Sequence, residues 1–252
     1  MTRVAISGST GRMGETLLAA ASEREDVTAA CGIAPDPSGE EAVRTYAPEE
    51  ATRALDAHDV DIVVDFSTPA GTTAVADACA EAGAGLVVGT TGLGEADHAA
   101  LATASGRVPV LQAANFARGI QALLGALEEA LSALPDYDVE VLETHHNGKR
   151  DAPSGTAETI LETVGKHREF ETVPGREGIQ PREDDEVGML VRRAGDVRGE
   201  HEILLADNDE LVTLTHRAED RAVFAAGALD AAVWIDGRAP GEYAFTDVIH
   251  KS

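Results

Sequence analysis

Val4-Ala5-Ile6-Ser7-Gly8-Ser9-Thr10-Gly11-Arg12-Met13-Gly14 lies near the start of the chain, and its reading decides the fold. A short apolar strand runs into a glycine-rich turn, and the residues that follow place Leu17, Leu18 and Ala21 on one face of a helix. Strand, glycine turn and helix in this order form a dinucleotide-binding opening. Glycine lets the backbone approach a pyrophosphate, and the helix N-terminus carries partial positive charge. The spacing is G-x-x-G-x-x-G, with Thr10 where the commoner G-x-G-x-x-G pattern has its second glycine. Such a pattern alone also suits a plain tight turn. Its place at the first strand–helix junction, with Arg12 able to reach a phosphate, favours the cofactor reading.

The alternation continues downstream. Val27–Ile33 reads as a second strand, but Ala34 stands where a ribose-binding acid is expected. The nearest acid is Asp36, no arginine lies beside it in sequence, and residues 35–41 read as a loop. A short helix over 48–58 precedes Asp61–Ser67, a continuous apolar run of the kind found in sheets covered on both faces. Ser67-Thr68-Pro69 starts a helix reaching about Ala82. The strand Gly85–Val88 ends in Gly89-Thr90-Thr91-Gly92. After a helix over 93–106, the strand Val108–Gln112 delivers Ala113-Ala114-Asn115-Phe116 to the same sheet edge. Ligands bind at such carboxyl ends in open parallel sheets, and the pattern predicts an α/β doubly wound, Rossmann-like sheet.

The rhythm changes after Phe116. A helix over 120–134 carries Leu123, Leu124, Leu127 and Leu131 on one stripe. A strand over 137–143, a helix over 157–166 and an exposed polar loop over 171–186 follow. Strands over 187–193, 201–206 and 211–216 are expected to pair antiparallel, and a helix over 221–235 needs a sheet to cover. The expected division is a dinucleotide-binding domain, 1–116 with 222–252, interrupted by an α+β substrate and oligomerisation domain, 117–221. Two crossings between domains suggest a hinge that closes on substrate.

Between the 137–143 strand and the next helix lies His145-His146-Asn147-Gly148-Lys149-Arg150-Asp151-Ala152-Pro153-Ser154-Gly155-Thr156-Ala157. Two imidazoles and an ammonium sit beside a turn at a helix N-terminus, where Gly155 and Thr156 offer an anion site. His145 and Lys149 suit proton delivery and stabilisation of developing negative charge. Other chemistries fit poorly. No third ligand accompanies the histidines at metal-site spacing, so no metal is expected. Gly148-Lys149-Arg150 lacks the glycine lead and Ser/Thr of a phosphate-binding loop. Tyr46, Tyr137 and Tyr243 are followed four residues later by Glu50, Val141 and Asp247, so no Tyr-x-x-x-Lys pair exists.

Composition narrows the class. Forty-five acids against 20 Lys and Arg give a net charge of −25, and the lysines are only Lys149, Lys166 and Lys251. Nucleic acid and anionic membranes are unsuitable partners for such a surface, which instead suits concentrated salt, where screening removes self-repulsion. Cys31 and Cys79 form no disulfide or metal framework, and no signal or membrane-spanning pattern occurs, so a cytoplasmic protein is expected.

With these motifs in order, the chain resembles the 4-hydroxy-tetrahydrodipicolinate (dihydrodipicolinate) reductases of lysine and diaminopimelate synthesis. The resemblance rests on Gly8–Gly14, Asp65-Phe66-Ser67, Gly89–Gly92, Ala114-Asn115-Phe116 and Glu143–Ala157. It extends to Arg193-Ala194-Gly195-Asp196, Gly199-Glu200-His201 and Ala231–Trp234. It implies NADPH and/or NADH as cofactor, held at the phosphates by Gly8, Ser9, Thr10, Gly11, Arg12 and Met13. Gly89, Thr90, Thr91, Ala113, Ala114, Asn115 and Phe116 would line the nicotinamide side, with Asp36 a candidate for the ribose. It further implies His145 and Lys149 as catalytic acids, with His146, Lys149, Ser154, Gly155 and Thr156 holding a small cyclic dicarboxylate. A homotetramer is also implied. The competing readings are a non-catalytic NAD(P)-sensing subunit and another amino-acid-type dehydrogenase.

Overall fold

The protein is described by a computed structural model covering residues 1–36 and 43–249. The elements are β1 (Thr2–Ser7), α1 (Arg12–Ser22), β2 (Val27–Ile33), β3 (Thr45–Tyr46), α2 (Ala51–Ala57), β4 (Ile62–Asp65), α3 (Pro69–Ala82) and β5 (Gly85–Val88). Next come α4 (Glu95–Ser105), β6 (Pro109–Gln112), α5 (Arg118–Ala133), β7 (Asp138–His145), α6 (Gly155–Gly165), β8 (Glu171–Val173) and β9 (Glu186–Arg193). The remainder are β10 (Glu200–Asp207), β11 (Glu210–Arg217), α7 (Ala222–Ile235), β12 (Gly241–Ala244) and α8 (Phe245–Ile249). The chain divides into two compact units, Met1–Phe116 with Arg221–Ser252, and Ala117–Asp220. No helix among the described residues is long and apolar enough to cross a membrane.

The first unit holds a seven-stranded parallel sheet in the order β12-β6-β5-β4-β1-β2-β3. Successive residues of its central strands feed opposite cores, which is why those strands are apolar throughout. Val4, Ile6, Val64 and Val87 pack with Leu17, Leu229 and Ile235, whereas Ala5, Val63, Leu86 and Val88 pack with Leu55, Val75 and Leu101. Each large side chain so buried contributes roughly 1.5–3 kcal/mol. Two strands go beyond the five read from sequence: the two-residue β3, and β12, which pairs with β6 beyond the predicted last helix. Most of the loop predicted over 35–41 lies outside the described residues.

Glycine is needed at two places in the opening turn. Gly8 has φ +79°, and a side chain there would run into the Phe66 carbonyl. Gly14, inside α1, lies so close to Gly8 and Ser9 that a Cβ would collide with their main chain. Thr10 is absent from the positions of positive φ, so a glycine is not required there.

The second unit is a five-stranded sheet in the order β11-β10-β7-β9-β8. The expected antiparallel pairing holds for β10 and β11 but fails for β9, which runs parallel between β7 and β8, while β10 pairs antiparallel with β7. The reason is two return connections: α6 leads from β7 to β8 and residues 174–185 lead from β8 to β9, and each brings the chain back to enter the next strand in the same direction. Within the stretch read as a loop, β8 forms. Asn208 and Asp209, at φ 52° and 61°, make the tight turn between β10 and β11. Helix α5 buries Ile120, Leu123, Leu127 and Leu131, while Leu124 is only half-buried.

Candidate active site

Strand alternation puts Val139, Val141, Glu143 and His145 on one face of β7, and all four are buried. The first two belong to an ordinary apolar row; the last two do not. In register, Glu143 lies opposite His201 of β10, which lies opposite His216 of β11, and His145 lies opposite Arg193 of β9. Sheet pairing therefore assembles an ionisable cluster from residues far apart in sequence. The strand extends two residues past its predicted end, so His145 sits on the sheet rather than in an open loop.

Glu143 has no exposed surface. Its Oε1 accepts from the Ser154 backbone N–H at 3.1 Å and from the Arg193 guanidinium at 2.8 Å. Its Oε2 lies 3.2 Å from His145 Nδ1 and 3.7 Å from His201 Nε2. The contact to His145 is close, but neither atom is aligned in a hydrogen bond. Burial alone would raise the Glu143 pKa. The contacts from His145, Ser154 and Arg193 outweigh that and hold it at about 2. His201, 2% exposed, is pushed down to about 4 by burial and then by the neighbouring His145. It is therefore neutral near pH 7, with Nε2 3.3 Å from Ser154 Oγ and its ring edge-on to His145 at 5.2 Å.

Ser154 caps α6: its Oγ accepts from the Ala157 N–H at 3.3 Å. The helix thus starts at Gly155, two residues before the sequence reading, and its first turn contains Gly155 and buried Thr156. Lys149 is mostly buried, and its Nζ is 2.8 Å from Asp151 Oδ2. Arg193 also donates to the Asp151 carbonyl at 2.5 Å, fastening the loop to the sheet. His146 is half-buried on the same loop. Asn147 and Ala194 bond main chain to main chain with Gly195 and His145, joining the loop to the turn after β9.

In the first unit, Asp65 at the end of β4 is fully buried and accepts from Ser67 Oγ at 2.6 Å, Thr72 Oγ1 at 2.6 Å and Thr90 Oγ1 at 2.7 Å. Thr90 Oγ1 also accepts from the Ser67 N–H at 2.9 Å. Its hydroxyl is thereby committed to the fold. The Phe66 ring lies where a Cβ on Gly89 would be, while Thr91 is exposed. Phe116 requires a correction of role. Its side chain is 1% exposed and packs between Phe66 and Phe245, at 5.7 and 5.1 Å, so it supports the edge and does not line it. Ala113, Ala114 and Asn115 remain accessible to different degrees.

At the end of β2, Ala34 is buried and Asp36 exposed. The sequence places no arginine nearby, but the fold does. Pairing of β3 with β2 brings in Arg44, whose carbonyl accepts from the Gly32 N–H at 3.0 Å. Among the described residues no third ligand joins His145 and His146, but the fold gathers a different set around His145. Glu143, His145 and His201 place ligand atoms within 4.8 Å of one another, although Arg193 already balances the carboxylate. In the opening turn, Ser9 is buried while Thr10, Gly11 and Arg12 are exposed and Met13 half-exposed at the start of α1. Together with the close approach of Gly14 to Gly8, this fits a dinucleotide pyrophosphate.

Sequence reading missed Glu143, Arg193 and His201 as site components. The available signal was a carboxylate on the apolar side of an alternating strand, two residues before a histidine.

The family description "Dihydrodipicolinate reductase, N-terminus" matches residues 2–116, and "Dihydrodipicolinate reductase, C-terminus" matches 119–249. The chain belongs to the dihydrodipicolinate reductase family. It is accordingly an NAD(P)-dependent oxidoreductase. A 4-hydroxy-tetrahydrodipicolinate reductase from Haloarcula marismortui is 54% identical, with 99% of each chain covered. One from Natronomonas pharaonis is 53% identical, covering 98% of this chain and 99% of the other. The fold matches the dipicolinate-bound dihydrodipicolinate reductase of Paenisporosarcina sp. TG-14 with a TM-score of 0.78, at 22% identity and 97% coverage of each chain.

Proposed function

We propose that the chain converts 4-hydroxy-tetrahydrodipicolinate to tetrahydrodipicolinate, the hydroxyl leaving as water and the resulting conjugated ring taking up a hydride from NADPH or NADH and one proton, with His145 and Lys149 as its catalytic residues. The carrying observation is the joining of a buried imidazole, an oriented ammonium and the N-terminus of α6 within one loop and its flanking strand. Names of close relatives across the whole chain support the substrate assignment.

The cofactor, when bound, supplies the hydride. Gly8, Ser9, Thr10, Gly11, Arg12 and Met13 hold its phosphates, and Gly89–Thr91 with Ala113–Asn115 border its nicotinamide. The unit containing residues 1–116 is the dinucleotide-binding domain, and residues 117–220 form the substrate domain. His145 delivers a proton to the electron-rich, nitrogen-containing system left by reduction. Lys149, kept oriented by Asp151, binds a substrate carboxylate and stabilises developing negative charge. Asp151 is half-exposed, so an incoming carboxylate can share or take its place. Gly155, Thr156 and Ser154 receive carboxylate at the helix N-terminus, with His146 beside them. The deciding experiment is NADPH oxidation with freshly generated substrate. Turnover supports the reading, whereas tight cofactor binding without turnover would indicate a sensing subunit.

Both cofactors should serve, with catalytic efficiencies within about a hundredfold of each other, or some 3 kcal/mol. Exposed Arg44 supplies the positive charge that favours a 2′-phosphate. An exposed ion pair contributes roughly 0.2–1 kcal/mol, so Arg44→Ala should lower kcat/KM for NADPH by up to about fivefold and leave NADH unchanged. An equal loss with both cofactors would remove Arg44 from the assignment.

We further infer a homotetramer joined through the substrate-domain sheets, where Leu190 and Leu211 are exposed at 41% and 64%. At −25 per chain, repulsion should destabilise both fold and assembly in dilute buffer. Light scattering and thermal melts should therefore show a larger, more stable species in molar salt. A monomer in molar salt, or a melting temperature as high without it, contradicts this.

A further inference from the structure

We propose that Glu143 is a positioning residue for the reduction, holding His145 in one tautomer through one carboxylate oxygen and Ser154 of the anion turn through the other. This rests on the assignment of His145 as proton donor. A charge on the apolar face of β7 is a poor device for stability, because buried ions lose hydration that packing alone would not sacrifice. Glu143 is nevertheless wholly buried, and its two oxygens have different tasks. Oε1 is filled by the Ser154 N–H and Arg193. Oε2 has no aligned donor, and His145 Nδ1, 3.2 Å away, has no aligned acceptor. A small rotation of the ring joins these complementary groups, as catalytic hydrogen bonds often tighten only when substrate is engaged.

With Nδ1–H committed to Glu143, the proton that His145 exchanges is the one on Nε2. That nitrogen lies beside Gly199, where a Cβ would stand 3.2 Å from it, so the missing side chain keeps the approach clear. The edge-on ring of His201 confines the imidazole from β10, and Arg193 balances the carboxylate from β9. Because the same carboxylate holds the Ser154 N–H, proton donor and anion turn share one fixed reference point. The arrangement follows the carboxylate–imidazole logic of hydrolytic triads, in which the acid sets the tautomer without itself being protonated.

Glu143→Gln tests this. The amide oxygen can still accept from Ser154, but its NH2 group donates to Nδ1 and so favours the opposite tautomer. We expect kcat to fall by about 10- to 10⁴-fold, with KM for the dicarboxylate within about threefold and NADPH affinity unchanged. Nitrogen-15 spectra of neutral His145 should show the Nδ1–H tautomer in the native protein and Nε2–H in Glu143→Gln. Glu143→Asp should recover the native tautomer and part of the rate. A native Nε2–H tautomer, or wild-type kcat in folded Glu143→Gln, overturns the proposal. The native spectrum decides even if the variant does not fold. His145→Ala measured alongside separates the readings: if it keeps full activity, the donor assignment falls and this proposal with it. If it is impaired while Glu143→Gln is not, only the positioning role falls.

Discussion

His145→Ala should lower kcat by about 10²- to 10⁴-fold and leave NADPH affinity intact, the usual span for losing a positioned proton donor. Lys149→Ala should reduce kcat and also raise KM, because the ammonium both binds carboxylate and meets charge that develops later. Steady-state NADPH oxidation together with a cofactor-binding titration distinguishes these patterns. Wild-type kcat in His145→Ala would leave the loop as an anion-binding turn only. Loss of cofactor binding in both variants would move the stretch to the nucleotide site. Truncation at Lys149 disturbs packing less than truncation at His145. His145 is 8% exposed and packed edge-on against His201, so its truncation also costs stability, by roughly 0.5–3 kcal/mol. His145→Asn keeps more of the volume, and melting temperatures measured beside the rates separate folding from chemistry.

Acidification should weaken the second unit well before ordinary carboxylates titrate. His201 has a pKa of about 4 in the folded chain against 6.5 when unfolded. Above pH 6.5 both states are neutral there, and the folded state incurs no penalty. As pH falls toward 4 the unfolded chain takes up a proton that the folded chain refuses, so stability is lost across that window and the loss levels off below it. Between pH 7.5 and 5 this amounts to about 2 kcal/mol on the scale of 1.36 kcal/mol per pKa unit. His216, also lowered by burial, acts in the same direction. Glu143 acts in a separate window: its depressed pKa stabilises the fold above about 4.5, and that contribution disappears as pH falls through about 2. Hydrogen exchange of peptides from residues 138–217, at constant molar salt, should show opening favoured at pH 5 after correction for intrinsic exchange rates. His201→Gln should flatten the dependence, and an unchanged dependence in that variant would exclude His201 as its source.

Periodicity made the parallel sheet legible because its central strands are apolar on both faces and its helices begin at recognisable turns, as at Thr68-Pro69. It could not reveal β3, whose two residues carry no period, or the direction of β9, which depends on a crossover and not on local pattern. The cation-rich loop was legible for a similar reason: Lys149 and the paired histidines stand out in a lysine-poor chain. Glu143 was legible only as one acid among 45 that falls on the apolar side of its strand, and its part in the site depends on the pairing that sets it opposite His201. Arg44 was hidden by distance along the chain from Ala34, which the β2–β3 pairing removes.

The circular course of the first unit has a consequence for its birth on the ribosome. Strand β6 acquires its outer neighbour only when β12 emerges, and the core over β1, β4 and β5 lacks Leu229, Ala232 and Ile235 until α7 is made. Residues 117–220, by contrast, are continuous and can close while the remainder is still being translated. The nascent chain must therefore carry an unfinished nucleotide fold, with one bare sheet edge and one uncovered apolar face, through the synthesis of an entire second unit. Truncation within the last thirty or so residues should accordingly damage the N-terminal half of the sequence more than the middle.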